Sequence, residues 1–264
     1  MPVTDKFFST LGGLGDDASN YSSTNTGSGI TQEAITDPTG SGYGTVGKFG
    51  LSVGDKRCEL SGHVDRDPTF GTDYWTWISV YVPATWQVAD DKILWFQIHE
   101  QPDTSPADYV GEAQLIATIE GQHVRIENNF DVDAQTVAFA DITSRVLCDW
   151  PLDDFLGRWT DIVIRVTWSV TSGGALRIWR NRRQVFQDAA TNNAYNNAAA
   201  RGGDDPFHKL GIYRTDSGNA TVANYLLHRG VKRGTGYSTF DTFMAACGSS
   251  DTELEGFVVE GVSV

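Results

Sequence analysis

The chain has 264 residues, a formal net charge of −14 and 40% hydrophobic residues, and it contains no run near the roughly 18 consecutive apolar residues that a membrane helix needs. That balance belongs to a globular protein able to bury a substantial core, and it excludes a disordered polymer and general binding to nucleic acid, which requires a basic face. The three cysteines, Cys58, Cys148 and Cys247, form no CxxC pair, which excludes a disulfide framework, argues against zinc and leaves either one disulfide or three buried thiols.

Residues 1–45 are rich in Gly, Ser, Thr, Asn and Asp and read as a loop-rich arm with one short edge strand. Met1 to Asp17 shows no basic flank followed by an apolar run, so no secretory signal is expected there. Strand-like runs follow. Arg57 to Ser61 comes first, then Tyr74 to Val82, which is almost wholly aromatic or β-branched and is ended by Pro83. Lys92 to His99, Ala113 to Glu120 and His123 to Asn128 are next, the last two joined by a tight turn at Gly121-Gln122. Ile162 to Ser169 pairs with Leu176 to Trp179, and Asn181-Arg182 turns into Gln184-Val185-Phe186. Residues 188–206, Asn- and Ala-rich, read as a long surface loop. Strands at Lys209 to Tyr213 and Ala220 to Val231, a short helix at Thr239 to Ala246 and a final strand at Phe257 to Val264 complete the chain. Many short strands with no helix–strand alternation predict an all-β sandwich or jelly roll of two antiparallel sheets, with residues 46–235 as the body and 236–264 as an extension packed on it. Trp75, Trp77, Trp168 and Trp179 are expected in the core.

Charge is unevenly spread. Residues 158–233 hold 12 of the 20 Lys and Arg and five of the 34 Asp and Glu, so that segment is +7 and the remainder −21. A local basic surface on an acidic body still focuses an anionic polymer.

Three strands carry polar groups at one parity. Residues i and i+2 share a face, so Arg57 and Glu59 point one way and Cys58 the other. Gln97 and His99 likewise oppose Ile98, and Lys209, Gly211 and Tyr213 oppose Leu210 and Ile212. Side by side in one sheet, these strands would line a polar groove. Taken singly, the same residues read as an ordinary ion pair, a satisfied histidine and a boundary tyrosine. His63, His123, His208 and His228 show no metal-site spacing, Asp131-Val132-Asp133 is too short for a calcium loop, and the sequons at Asn20 and Asn219 are of a kind that occurs by chance.

Arg57-Cys58-Glu59-Leu60, Gln97-Ile98-His99 and Lys209-Leu210-Gly211-Ile212-Tyr213 resemble, in order, the three signature strands of the jelly-roll alginate lyases. Gly157-Arg158-Trp159-Thr160-Asp161, Val166-Thr167-Trp168-Ser169, Gly174 to Asn181 and Tyr81-Val82-Pro83 are similar to strands of a sister group, the glucuronan lyases and heparin-lyase-like proteins. The resemblance covers residues 50–235. It departs at Cys58, which stands for Ser or Thr, and at Glu100, which follows His99 where the sister group has Gly.

The resemblance implies a concanavalin A-like jelly roll with a concave groove that cleaves an anionic, uronic-acid polysaccharide by β-elimination without cofactor or metal. It assigns Arg57 and Gln97 to neutralising the substrate carboxylate, His99 to base or neutralisation and Tyr213 to acid or acid/base. Lys209, Glu59 and Arg214 would bind the polymer. Such an enzyme acts outside the cell. Two other readings fit the fold class: a virion-borne decoration or tail protein whose ends self-assemble or meet other virion proteins, and a carbohydrate-binding module without turnover.

Overall fold

The computed structural model describes residues 4–5, 22–26, 28–61, 70–88, 91–99, 113–131, 139–194, 207–215 and 221–247. In chain order the strands are β1 (Thr4–Asp5), β2 (Ser22–Thr26), β3 (Thr31–Thr36), β4 (Thr45–Leu51), β5 (Arg57–Ser61), β6 (Asp73–Val82), β7 (Ile93–His99) and β8 (Ala113–Glu120). They continue as β9 (His123–Phe130), β10 (Thr143–Pro151), β11 (Arg158–Thr167), β12 (Gly174–Arg180), β13 (Arg183–Thr191), β14 (Phe207–Arg214) and β15 (Asn224–Thr235), and one helix, α1 (Phe240–Ala246), follows. One sheet runs β13-β12-β11-β6-β15-β4-β3, with β1 also paired to β15; the other runs β10-β9-β8-β7-β14-β5-β2. All ladders are antiparallel. The fold is a jelly-roll sandwich.

Alternation builds the core. Ile78, Val80 and Val82 of β6, Ile162, Ile164 and Val166 of β11, and Leu176 and Ile178 of β12 face Trp95, Ile98, Leu115, Ala117 and Leu210 from the other sheet. A bulge between Leu94 and Phe96 turns both Trp95 and Phe96 inward. The two expected hairpins form. Asn181 and Arg182 both take positive φ, as a two-residue type I′ loop requires, and Gly121 does so at φ 56. Trp168 lies between the sheets, whereas Trp75, Trp77 and Trp179 are buried on the outer face of the eight-stranded sheet, under Phe243 and Met244 of α1. The Thr239 side chain caps that helix through the Thr242 N–H.

Several expectations change. Residues 1–45 hold β1, β2, β3 and the first residue of β4, and β2 and β3 close one edge of each sheet. Polar side chains conceal such edge strands because they need only one buried face. The β4 and β10 strands are also absent from the sequence reading; in β10 a register shift between Val146 and Cys148 breaks the alternation. The stretch read as loop from residue 188 remains in β13 to Thr191. Asn193 is then folded in, donating to the Thr167 and Ala175 carbonyls and accepting from the Ser169 N–H. Residues 195–206, the strand at Phe257 to Val264, Glu100, His63, Asn20 and Asn219 lie outside the described residues. All three cysteines are free and buried. No helix among the described residues is long and apolar enough to cross a membrane.

Two histidines sit between the sheets. His208 meets Thr76 Oγ1 at 3.4 Å and Arg233 Nη1, and His228 meets the Gly211 carbonyl at 3.3 Å. Burial holds the His228 imidazole down at about 3. Burial, then the Arg233 charge, hold His208 well below the usual range. Both folded values lie below the unfolded value of about 6.5, so the unfolded chain takes up protons that the folded chain refuses. These groups therefore support the fold above pH 6.5, and their contribution is lost as pH falls from there toward 3. Near pH 5 His228 alone gives a slope of roughly 1 kcal/mol per pH unit, and His208 adds to it in the same direction. Urea titrations at pH 7, 6 and 5 check this, and His228→Leu should flatten part of the slope.

Candidate active site

The seven-stranded sheet sets β5, β14 and β7 side by side, the adjacency that a polar groove requires. Register places Tyr213 opposite Arg57, Gly211 opposite Glu59 and Lys209 opposite Ser61 on one side. On the other side, Lys209 is opposite Gln97 and Phe207 opposite His99. Arg57, Glu59, Gln97, His99, Lys209 and Tyr213 therefore share the sheet face that points away from the sandwich core. Cys58, Leu60, Ile98, Leu210 and Ile212 fill the core side.

At the centre is Glu59, 0% exposed. Gln97 Nε2 donates to its Oε1 at 2.6 Å, and Arg57 Nε lies 3.2 Å from its Oε2. Burial raises the Glu59 carboxyl, opposed by the Arg57 and Lys209 charges and the Gln97 hydrogen bond. Burial likewise lowers the Lys209 ammonium, opposed by Glu59 and reinforced by Arg57. Glu59 thus stands between Arg57 and Gln97 as ion-pair partner and hydrogen-bond acceptor, fully buried at the position where the resemblance implies a polymer-binding residue. Gly211 makes the close approach possible: at φ +143, a Cβ there would lie 2.2 Å from the Cys58 carbonyl oxygen and 2.8 Å from Glu59 Cα.

Arg57 and Tyr213 form the open part of the site. The guanidinium carbon sits 4.1 Å from the Tyr213 ring centroid, and Lys56 Nζ lies 5.8 Å from the same ring. Beneath Tyr213, Leu94, Ala113 and Ile116 make a small apolar floor. Among the described residues, neither the Arg57 terminal nitrogens nor the Tyr213 hydroxyl is taken by a hydrogen bond, and both residues are partly exposed.

His99 stands further off. Its ring stacks on Phe207, centroids 5.4 Å apart. Since Tyr213 pairs with Leu94, the two residues are separated by roughly 15 Å along the strands. Arg214 does not belong to the groove. It is 0% exposed on the core side of β14, paired with Asp91 at 3.3 Å and donating to the carbonyls of Ser52, Asp55 and Val222. Strand parity already assigns it to that side, one residue past Tyr213.

A chain of polar groups that the sequence reading did not single out extends the face across β7, β8 and β9. Lys92 Nζ lies 2.7 Å from Glu127 Oε2, and Thr118 donates to Glu127 Oε1 at 3.2 Å. Only the alternation of Thr118 with Ala117 and Ile119, and of Glu127 with Ile126, marked it in advance. Among the described residues no cluster of His, Cys, Asp or Glu is arranged to hold a metal ion.

The polysaccharide lyase family profile matches residues 16–229, most of the chain and every strand of this site. The chain belongs to the polysaccharide lyase family. Among solved structures, an endo-β-1,4-glucuronan lyase from the fungus Trichoderma reesei superposes with a TM-score of 0.65 at 12% identity, covering 89% of this chain and 95% of that one. The alginate lyase A1-II′, of polysaccharide lyase family 7, gives 0.52 at 14% identity, covering 78% and 84%. A carbohydrate esterase from the Shiga toxin-encoding bacteriophage phi24B gives 0.54 at 8% identity, covering 89% and 100%. No curated protein matches significantly. At these identities the structural likeness is one of fold. The same fold also carries a protein described as an esterase, so fold alone does not fix the chemistry.

Proposed function

We propose that this polysaccharide lyase cleaves a uronate polymer by β-elimination, with Tyr213 and Arg57 at the reacting sugar. The Arg57 guanidinium stacked 4.1 Å from the Tyr213 ring is the observation that carries the reading. The C5 proton of a uronate is only weakly acidic while the neighbouring carboxylate is charged, so that carboxylate must be neutralised as electron density flows into it. The planar fork of Arg57 suits the task, and Gln97, fixed by Glu59, supplies a neutral donor beside it. A carboxylate on this fork sets C5 next to the Tyr213 hydroxyl.

The Tyr213 oxygen, acting as base, takes the C5 proton; the C4–O bond breaks, a C4–C5 double bond forms, and the same oxygen returns the proton to the leaving oxygen. The separation of His99 from Tyr213 favours one group in both roles. His99 then serves the polymer further along the groove, with Lys209 as a charge for the adjoining sugar.

The test is to mix the protein with polymannuronate, polyguluronate, glucuronan and heparin and to follow the ultraviolet absorbance of the new double bond. A rise with one polymer names the substrate. No rise with any of them, in a folded sample, refutes the reading.

A further inference from the structure

Across the β11–β12 pair, Arg165 stands directly opposite Arg177. Like charges so placed repel one another. Both side chains lie on the outer face of the eight-stranded sheet, because Ile164, Val166, Leu176 and Ile178 at the other parity fill the core. Arg165 is compensated. Asp73 accepts from its Nε at 3.0 Å and its Nη2 at 2.7 Å, and the guanidinium lies 4.9 Å from the Trp75 ring centroid. Arg177 is half-buried and, among the described residues, has no hydrogen bond or ion pair. Between the two arginines is a cavity of about 230 Å³ bounded by Asp73, Arg165, Thr167, Ala175, Leu176 and Arg177. It adjoins the part of this face that α1 covers, where Trp75 and Trp179 stack with centroids 5.4 Å apart.

We propose that this cavity is a second, non-catalytic binding site for a carboxylate-bearing sugar unit, with Arg177 holding the carboxylate. The inference rests on the uronate reading of the groove and names the same polymer as the occupant. Charge complementarity supports that choice. On a chain of net charge −14, this cavity sets two guanidinium groups against one carboxylate, leaving Arg177 without a counter-ion among the described residues. The hydroxyl of Thr167 and the small side chain of Ala175 leave polar contact and room for a sugar ring beside that cation. The two sheets are packed about 10 Å apart, so the cavity and the groove lie on opposite faces of the sandwich. A sugar bound here cannot be the one being cut; it would tether the polymer.

The experiment is affinity electrophoresis through gels carrying glucuronan or alginate, with dextran as the neutral control. Tyr213→Phe serves as the background, so that the gel is not degraded. Adding Arg177→Ala to that background should weaken the apparent affinity for the acidic polymer roughly fivefold, and Arg177→Lys should restore most of it. In the otherwise wild-type chain, Arg177→Ala should leave turnover of a short uronate oligosaccharide within about twofold, since one sugar chain that short cannot reach both faces. Equal retardation with and without Arg177 overturns the proposal, as does equal retardation in dextran. A parallel fall in short-substrate turnover overturns it too, because Arg177 would then be acting through the fold. Retardation that depends on Arg177 in a chain whose wild type cuts no uronate polymer would count against the lyase reading and leave the outer site standing.

Discussion

Tyr213→Phe is expected to lower cleavage of the uronate polymer by about a thousandfold or more, within the range for removing a positioned acid/base, while the protein stays folded. The substitution deletes one oxygen. It keeps the ring that packs on Leu94, Ala113 and Ile116 and the face under the Arg57 guanidinium. The hydroxyl it removes takes no hydrogen bond among the described residues, so no buried partner is orphaned and the melting temperature should move little. The discriminating measurement pairs initial rates of double-bond absorbance with thermal unfolding. A Phe variant with wild-type rates would transfer the proton chemistry to another group, and His99 would be the next residue to substitute.

The largest effect on stability is expected from Glu59→Ala, at about 3–5 kcal/mol. The side chain is 0% exposed, and it is the shared counter-charge for Arg57 and Lys209 and the acceptor for Gln97. Truncating it leaves the Arg57 and Lys209 charges without the carboxylate that both feel, and a buried amide without its acceptor. Glu59→Gln keeps the shape and one acceptor, so its cost should be smaller, about 1–3 kcal/mol. Activity should nonetheless fall with both variants, because Arg57 loses the partner that fixes its fork. Urea unfolding measures the first effect, and kcat against KM measures the second. A Glu59→Ala protein as stable as the wild type would show that the buried carboxylate is not the counter-charge described.

The face of each site residue was legible in the sequence, because a period of two is a local property. Arg57 with Glu59, Gln97 with His99 and Lys209 with Tyr213 each alternate with apolar residues, and each alternation holds in the sheet. Adjacency was not legible. β5 and β7 flank β14, more than a hundred residues further along the chain, while β6 between them crosses to the other sheet, and no local pattern encodes such a pairing. The same applies to the spacing of His99 and Tyr213, which follows from the register of the ladder between β7 and β14 and from its shift between Leu210 and Tyr213. Arg214 shows the opposite case: parity placed it inside, and resemblance to a neighbouring motif carried it into the groove. At the N-terminus, Ser22–Thr26 and Thr31–Thr36 have the composition of loops, and only the open edges of β5 and β4 make strands of them.

The three buried thiols give this lyase a built-in set of reporters. Cys58 lies beneath the groove in β5, Cys148 in β10, and Cys247 at the end of α1. Burial pushes Cys58 and Cys148 up to about 12, so neither offers appreciable thiolate at neutral pH. An alkylating reagent will meet each one only when its own part of the sandwich opens. Labelling rates read by mass spectrometry would then rank the opening of the groove strands, the far sheet edge and the helix in one unmodified chain. A single cysteine introduced on the surface would react long before any of them.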